Sequence, residues 1–308
     1  LAAFFRAVPA ELDRLGVAWE IICINDGSRD DTLGRLLAAA RADSRITVID
    51  LSRNFGKEAA LTAGLDAARG RAVAPMDVDL QDPPALLGEM LAQWRAGYDV
   101  VYAVRRVRDR DTFAKRISAQ GFYRLYNRLS TVAIPPNAGD FRLMDARVVA
   151  ALRQMPERNR FMKGMFSWLG FKQTAVTFDR PARENGESSF GYWRLWNFAL
   201  DGLTSFSTAP LRIWTYLGGF IAMLAFVYAA YLILDTLITG VDVPGYASLM
   251  VVMLFFGGVQ LISLGIIGEY LGRTYNEVKQ RPIYLIDRVY RFPETVEAVS
   301  RTETDVAP

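Results

Sequence analysis

The sequence predicts an α/β protein with a mostly parallel, doubly wound sheet, followed by a C-terminal pair of membrane spans. Three observations predict it. Short apolar segments alternate with helical ones through residues 1 to about 180. Polar loops follow three of those apolar segments, two of them rich in aspartate. Two long runs without a charge lie in the last third. Short apolar strands between helices imply a parallel sheet covered on both faces. In such sheets ligands bind beyond the carboxyl ends of the strands.

In order, LAAFFRAVPAELDRLG reads as a helix, WEIICIND as a strand and DDTLGRLLAAARAD as a helix. RITVIDLS is a strand, and KEAALTAGLDAARG a helix ending on Gly70. RAVAPMDV is a strand, PALLGEMLAQWRAG a helix ending near Gly97, and YDVVYAVR a strand. A doubly wound sheet normally has a strand before its first helix, so a further strand is expected ahead of Leu1. The loops NDGSRD (25–30), LSRNFGKE (51–58) and DVDLQD (77–82) fall at strand carboxyl ends and should share one rim.

In the third loop an apolar run stops at Asp77, Asp79 and Asp82, then at two prolines. Asp82 precedes Pro83, the place of an N-cap before a proline at the first helical position. Asp77 and Asp79 are two residues apart, so on an extended segment they point to one side, roughly 7 Å apart. Carboxylates that close repel unless a cation or solvent compensates. Hard oxygen ligands at a strand end suit Mg²⁺ or Mn²⁺, with substrate phosphates completing the shell.

Composition narrows the chemistry. There is no histidine, which excludes histidine triads and histidine-ligated metals and makes Asp and Glu the first candidates for acid, base or ligand. The single cysteine, Cys23, excludes an intrachain disulfide and reads as a buried small hydrophobe in WEIICI. Net charge is only +3, but residues 105–128 hold eight Lys or Arg against two Asp. No base-reading module accompanies this run, so nucleic acid is not expected as a partner. A lipid phosphate or anionic membrane surface fits it better beside a membrane anchor.

Ile213–Leu234 and Val243–Gly268 carry no charge over 22 and 26 residues, and each exceeds the roughly 20 needed to cross a bilayer core. The linker DTLITGVD has two Asp and no Lys or Arg, whereas Arg212 flanks one run and Arg273, Lys279 and Arg281 the other. The positive-inside rule puts both flanks in the cytoplasm and the linker outside. Before the spans, FGYWRLWNFALDGLTSFS sets Trp193, Trp196, Leu200 and Leu203 at helical spacing, as in a helix lying in the membrane interface. The expected organisation is a catalytic domain over 1–189, an interfacial helix over 190–211, two spans over 212–272 and a cytoplasmic segment over 273–308.

INDGSRDDT, LSRNFGKEAALTAGLDAARG, MDVDLQDPP, NAGDFRLMD, RENGESSF and the two spans together resemble the GT-A glycosyltransferases of family 2 that act on polyprenyl phosphate. The bacterial polyprenyl-phosphate glucosyltransferase type is most similar, and the dolichol-phosphate mannose synthases are more distant cousins. The resemblance covers nearly the whole chain, with the motifs in the family's order. It implies a Rossmann-like GT-A domain and inverting transfer of a sugar, glucose first, from a nucleoside-diphosphate sugar such as UDP-glucose to undecaprenyl phosphate. It implies a multi-pass protein of the bacterial inner membrane, with its catalytic domain and both termini cytoplasmic, in contact with membrane lipids and assembled as a homo-oligomer.

Carried over by position, the resemblance implies that Asp26 contacts the nucleoside. Asp77 and Asp79 would bind the donor diphosphate through Mg²⁺ or Mn²⁺, with Gln81 as an assisting ligand. Asp140 matches the position usually proposed as catalytic base, and Arg183 with Ser188 or Ser189 falls in the expected acceptor loop. Arg105, Arg106, Lys115 and Arg116 are candidates to attract the acceptor phosphate. That acceptor is a phosphate monoester with a second pKa of about 6, already ionised at neutral pH, so little proton transfer is needed. Two other readings compete. A processive polysaccharide synthase would carry a Q-x-x-R-W motif, which is absent from this sequence. A non-catalytic scaffold or flippase subunit would have no use for the paired aspartates.

Overall fold

The computed structural model describes residues 1–105, 138–178, 209–239 and 245–292. Two small sheets and their helices form the α/β part. In the first, β1 (Ile21–Asn25) pairs parallel with β2 (Ile46–Leu51), and β2 pairs antiparallel with β7 (Ile286–Tyr290). In the second the order is β3 (Ala72–Val73), β5 (Ala138–Asp145), β4 (Val100–Arg105) and β6 (Gln173–Phe178). Here only β4 and β6 run parallel, and β5 is antiparallel to both β3 and β4.

The sheets are therefore mixed rather than mostly parallel. The strands read as alternating with helices include the parallel pair β1–β2, as their helical crossover requires. The antiparallel pairings come from β5 and β7, which do not follow that alternation. β5 carries Gly139, Asp140 and Arg142, so its sequence lacks a strand's apolar run. β7 arrives from beyond two long C-terminal helices and covers the free edge of β2.

The helices follow their apolar stripes. Helix α1 (Ala2–Arg14) buries Phe4 and Val8, one turn apart. Helix α2 (Thr32–Ala42) sets Leu36 and Ala40 on Ile46 and Val48 of β2. Cys23 borders that cluster, and burial pushes its thiol up to about 12, as for an inert apolar side chain. Helix α3 (Lys57–Ala67) places Ala63 against Ile49 and Leu51. Helix α4 (Leu86–Arg95) ends where Gly97, at φ 95°, lets its own N–H reach the Trp94 carbonyl and that of Tyr98 reach Gln93, a Schellman closure. Its start differs from expectation. The cap position belongs to Ala85, and the Pro83 and Pro84 carbonyls accept from Leu86 and Leu87, so Asp82 lies buried ahead of the cap position rather than at it. Helices α5 (Ala146–Arg153) and α6 (Met162–Trp168) pack Val148, Leu152, Met162, Met165 and Phe166 with Val100 and Met144.

Two long helices follow, α7 (Ala209–Thr239) and α8 (Tyr246–Lys279), of 31 and 34 residues. Their apolar side chains face outward: Phe226 is 78% and Leu261 71% exposed, a pattern suited to lipid rather than water. Among the described residues one stretch, Phe255–Lys279, is long and apolar enough to cross a membrane. The C-terminal end of α8 is tied to the α/β part. Both carboxylate oxygens of Glu277 accept from the Arg158 N–H at 3.0 Å, and Oε1 also accepts from that of Asn159 at 2.9 Å. Just beyond, the Tyr284 hydroxyl donates to Asp66 at the far end of α3, and the Ser52 N–H to the Leu285 carbonyl.

Candidate active site

The rim is assembled by side chains that cross from loop to loop. After β1, Asp26 spends both carboxylate oxygens on the next loop, accepting from Phe55 N–H at 2.6 Å and Gly56 N–H at 2.9 Å. Gly27 makes this approach feasible. It holds φ 63°, and a Cβ there would meet Asn54 N at 2.4 Å and Arg53 C at 2.7 Å. Only glycine fits both demands. One residue earlier, the buried Asn25 donates its side-chain amide to Asp50 across the parallel strands at 2.7 Å. The first two loops thus form one rigid wall.

The third loop is a turn rather than the end of a strand. β3 stops at Val73, two residues before Pro75, which has no N–H to continue the ladder. Asp77 and Asp79 therefore lie in a turn, not on the extended segment expected. Asp79 Oδ1 accepts from the Gln81 N–H at 3.1 Å, and Leu80 between them takes φ 54°. A leucine there is strained, and such strain collects at ligand sites. Gln81 is buried, at 8% exposed.

Lys57, the first residue of α3, joins this loop to β5. Its ammonium lies 3.0 Å from Asp77 Oδ2 and 2.9 Å from Asp140 Oδ2. Burial lowers the Lys57 pKa, but its bonds to the two carboxylates outweigh that and hold it above the ordinary range. Burial raises Asp140, yet the Lys57 bond and the charges of Lys57, Lys163 and Arg142 outweigh burial and keep it below the usual carboxylate range. The neighbouring Glu58 goes the other way. Burial, then the Asp140 charge, pushes it up to about 7, while its Oε2 accepts from the Met162 N–H at 3.4 Å. Behind Asp140, Arg142 is only 4% exposed. Its guanidinium stacks 3.9 Å over the Phe166 ring and donates to the Gly139 carbonyl, leaving Nε without a partner. Burial lowers its pKa to about 10.

The structure thus gathers Asp26, Asp77, Asp79, Gln81 and Asp140 on one rim, linked by Lys57. Among the acceptor candidates, Arg105 closes β4 with its backbone, and Arg106, Lys115, Arg116, Arg183, Ser188 and Ser189 lie outside the described residues. Lys57, Glu58 and Arg142 were not anticipated. A signal existed for Lys57, because a lysine in a helix's first turn opposes the helix dipole. The metal expectation fits the donor chemistry. Asp77 and Asp79 offer hard oxygens, and no cluster of three or more His, Cys, Asp or Glu is present among the described residues. Two carboxylates suit a cation that takes its remaining ligands from substrate phosphates.

Residues 7–153 match the family model described as Glycosyl transferase family 2, and residues 209–274 match that of the GtrB C-terminal hairpin. An uncharacterized glycosyltransferase of Synechocystis sp. is 57% identical over 290 residues, covering 94% of this chain and 91% of that protein. The bactoprenol glucosyl transferase of Shigella phage SfII is 51% identical over 272 residues, 88% of each chain. A prophage bactoprenol glucosyl transferase homolog of Escherichia coli is 52% identical over 270 residues, again 88% of each. With such relatives along most of its length, and its motif aspartates gathered on one rim of the α/β part, the chain is a glycosyltransferase belonging to glycosyl transferase family 2.

Proposed function

We propose that this enzyme transfers glucose from UDP-glucose to a polyprenyl phosphate, with inversion, at the cytoplasmic face of a bacterial inner membrane. The observation that carries the reading is the match along 88% of both chains to a protein named bactoprenol glucosyl transferase. In this reading Asp77 and Asp79, assisted by Gln81, hold Mg²⁺ or Mn²⁺ against the donor diphosphate. A cation held there would neutralise charge that develops on the departing diphosphate. Asp26 and the wall it shapes border the nucleoside. The basic residues from Arg105 onward, with Arg183, Ser188 and Ser189, receive the acceptor phosphate.

Helices α7 and α8 form two spans in this reading, with the aspartate-containing linker outside and the basic flanks in the cytoplasm. The Glu277 and Tyr284 contacts then hold the rim near the membrane surface, where a lipid phosphate is presented. A donor panel tests the reading. The purified enzyme in nanodiscs, given undecaprenyl phosphate and Mg²⁺ or Mn²⁺, should form lipid-linked sugar fastest from UDP-glucose. Faster product from UDP-N-acetylglucosamine, UDP-galactose or GDP-mannose would reassign the donor.

A further inference from the structure

Lys57 stands in an energetically poor place for a lysine. It opens α3, behind Gly56 at φ 96°, where the helix dipole disfavours positive charge. It is also more than half exposed, as is its partner Asp77, and exposed ion pairs stabilise folds little. What distinguishes it is position. Its ammonium touches carboxylates from two sides of the rim, Asp77 of the turn after β3 and Asp140 of β5. Lys163 and Arg142 also act on Asp140 through their charge; Arg142 is buried, stacked on Phe166 and donating to Gly139.

We infer that Lys57 binds the phosphate of the acceptor during transfer, and that Asp140 acts through Lys57 as its positioning residue instead of taking a proton. The inference rests on the function proposed above. With donor and cation drawing on Asp77 and Asp79, the Lys57 ammonium keeps its bond to Asp140 and turns its other N–H donors into the rim. There it meets the problem of the reaction, since a phosphate monoester must approach a sugar diphosphate and both are anions. The bonds balance without a base. An oxygen of the acceptor phosphate, ionised at neutral pH, forms a bond to the anomeric carbon. The bond from that carbon to the diphosphate breaks, and its electron pair leaves on the nucleoside diphosphate. No proton moves, so the need at this point is a cation between two anions, held in place by Asp140.

The test is a double-mutant cycle in nanodiscs with UDP-glucose and undecaprenyl phosphate. Lys57→Met should raise the KM for undecaprenyl phosphate about ten- to a hundred-fold, the scale of a lost hydrogen bond between charged groups. UDP-glucose affinity without acceptor should stay within about threefold, and Lys57→Arg should recover part of the loss. Asp140→Asn should cost much in the wild-type background and under about threefold in Lys57→Met, because the two act as one unit. Equal cost of Asp140→Asn in both backgrounds would make Asp140 independent and overturn the inference. So would a loss of UDP-glucose affinity in Lys57→Met with the acceptor KM unmoved. Failure of the wild type to glucosylate undecaprenyl phosphate would instead overturn the proposed function, a result separable from either.

Discussion

Glu277 links the long helix α8 directly to the α/β part. Its carboxylate accepts from the N–H groups of Arg158 and Asn159 at 2.9 to 3.0 Å, in the loop that leads to α6 and to Met162 N–H beneath Glu58. Replacing Glu277 by Ala leaves these two amides without their acceptor. Hydrogen bonds to a charged group are worth about 1.5–3 kcal/mol each, and partial exposure puts the local loss at the lower end, about 2–3 kcal/mol for the pair. At 1.4 kcal/mol per decade, amide exchange across 156–161 should quicken about thirty- to a hundredfold if it proceeds by local opening. Hydrogen–deuterium exchange with mass spectrometry on the full chain in nanodiscs reads this peptide directly. Exchange in the core strands β2 and β4 should not change. An unchanged rate at 156–161 would mean that the loop is held by something other than Glu277. Equal acceleration everywhere would mean that Glu277 supports the whole fold rather than this joint.

Other consequences follow from single residues. Gly27→Ala combines positive φ with overlap against Asn54 and Arg53 and should cost about 2–4 kcal/mol. Gly16→Ala, at φ 63° with nothing within 4 Å, should cost only about 1–2 kcal/mol; equal shifts in thermal midpoint would refute the overlap. Glu58, pushed up to about 7 from an ordinary 4.5, binds its proton more tightly in the folded state. Its contribution is complete below pH 4.5 and lost as pH rises through 7. Glu58→Gln should therefore gain up to about 3 kcal/mol on the wild type between pH 5 and pH 8; a gap in thermal midpoint that does not grow with pH would contradict this. Asp79→Asn should abolish turnover while leaving the protein folded and membrane-bound, and near-normal activity with Mg²⁺ or Mn²⁺ would remove Asp79 from the metal site. Replacing Arg105 and Arg106 together by Ala should raise the acceptor KM and spare donor affinity. The opposite pattern would assign them to the donor.

Much of the α/β part was legible because burial imposes periodicity. The apolar run of β2 and the one-turn spacing of Leu36 and Ala40 in α2 leave little choice. The aspartate motifs were legible too, since carboxylates at loop starts have few uses in a core. Other features depend on partners distant in sequence. β7 is a strand only because β2 offers it an edge more than 200 residues earlier in the chain, and no local pattern in IDRVY announces that. Pro75 shortened the third strand, and the turn it left moved Asp77 and Asp79 off an extended segment. Asp82 had the chemistry of a cap, but the proline pair began its turn one step later, and helix α4 starts at Leu86. The bridge from Lys57 to Asp77 and Asp140 joins residues 20 and 83 positions apart, so it emerges only once the sheet brings the loops together.

The central claim is glucosyl transfer to a lipid phosphate, and the mass of the lipid product tests it most directly. Purified enzyme in nanodiscs is incubated with UDP-glucose, undecaprenyl phosphate and Mg²⁺ or Mn²⁺, and the organic extract is read by mass spectrometry. The account predicts a lipid heavier than undecaprenyl phosphate by one anhydrohexose, formed one for one with UDP and missing in Asp79→Asn. A lipid carrying several hexoses, or UDP released with the lipid unchanged, would contradict it.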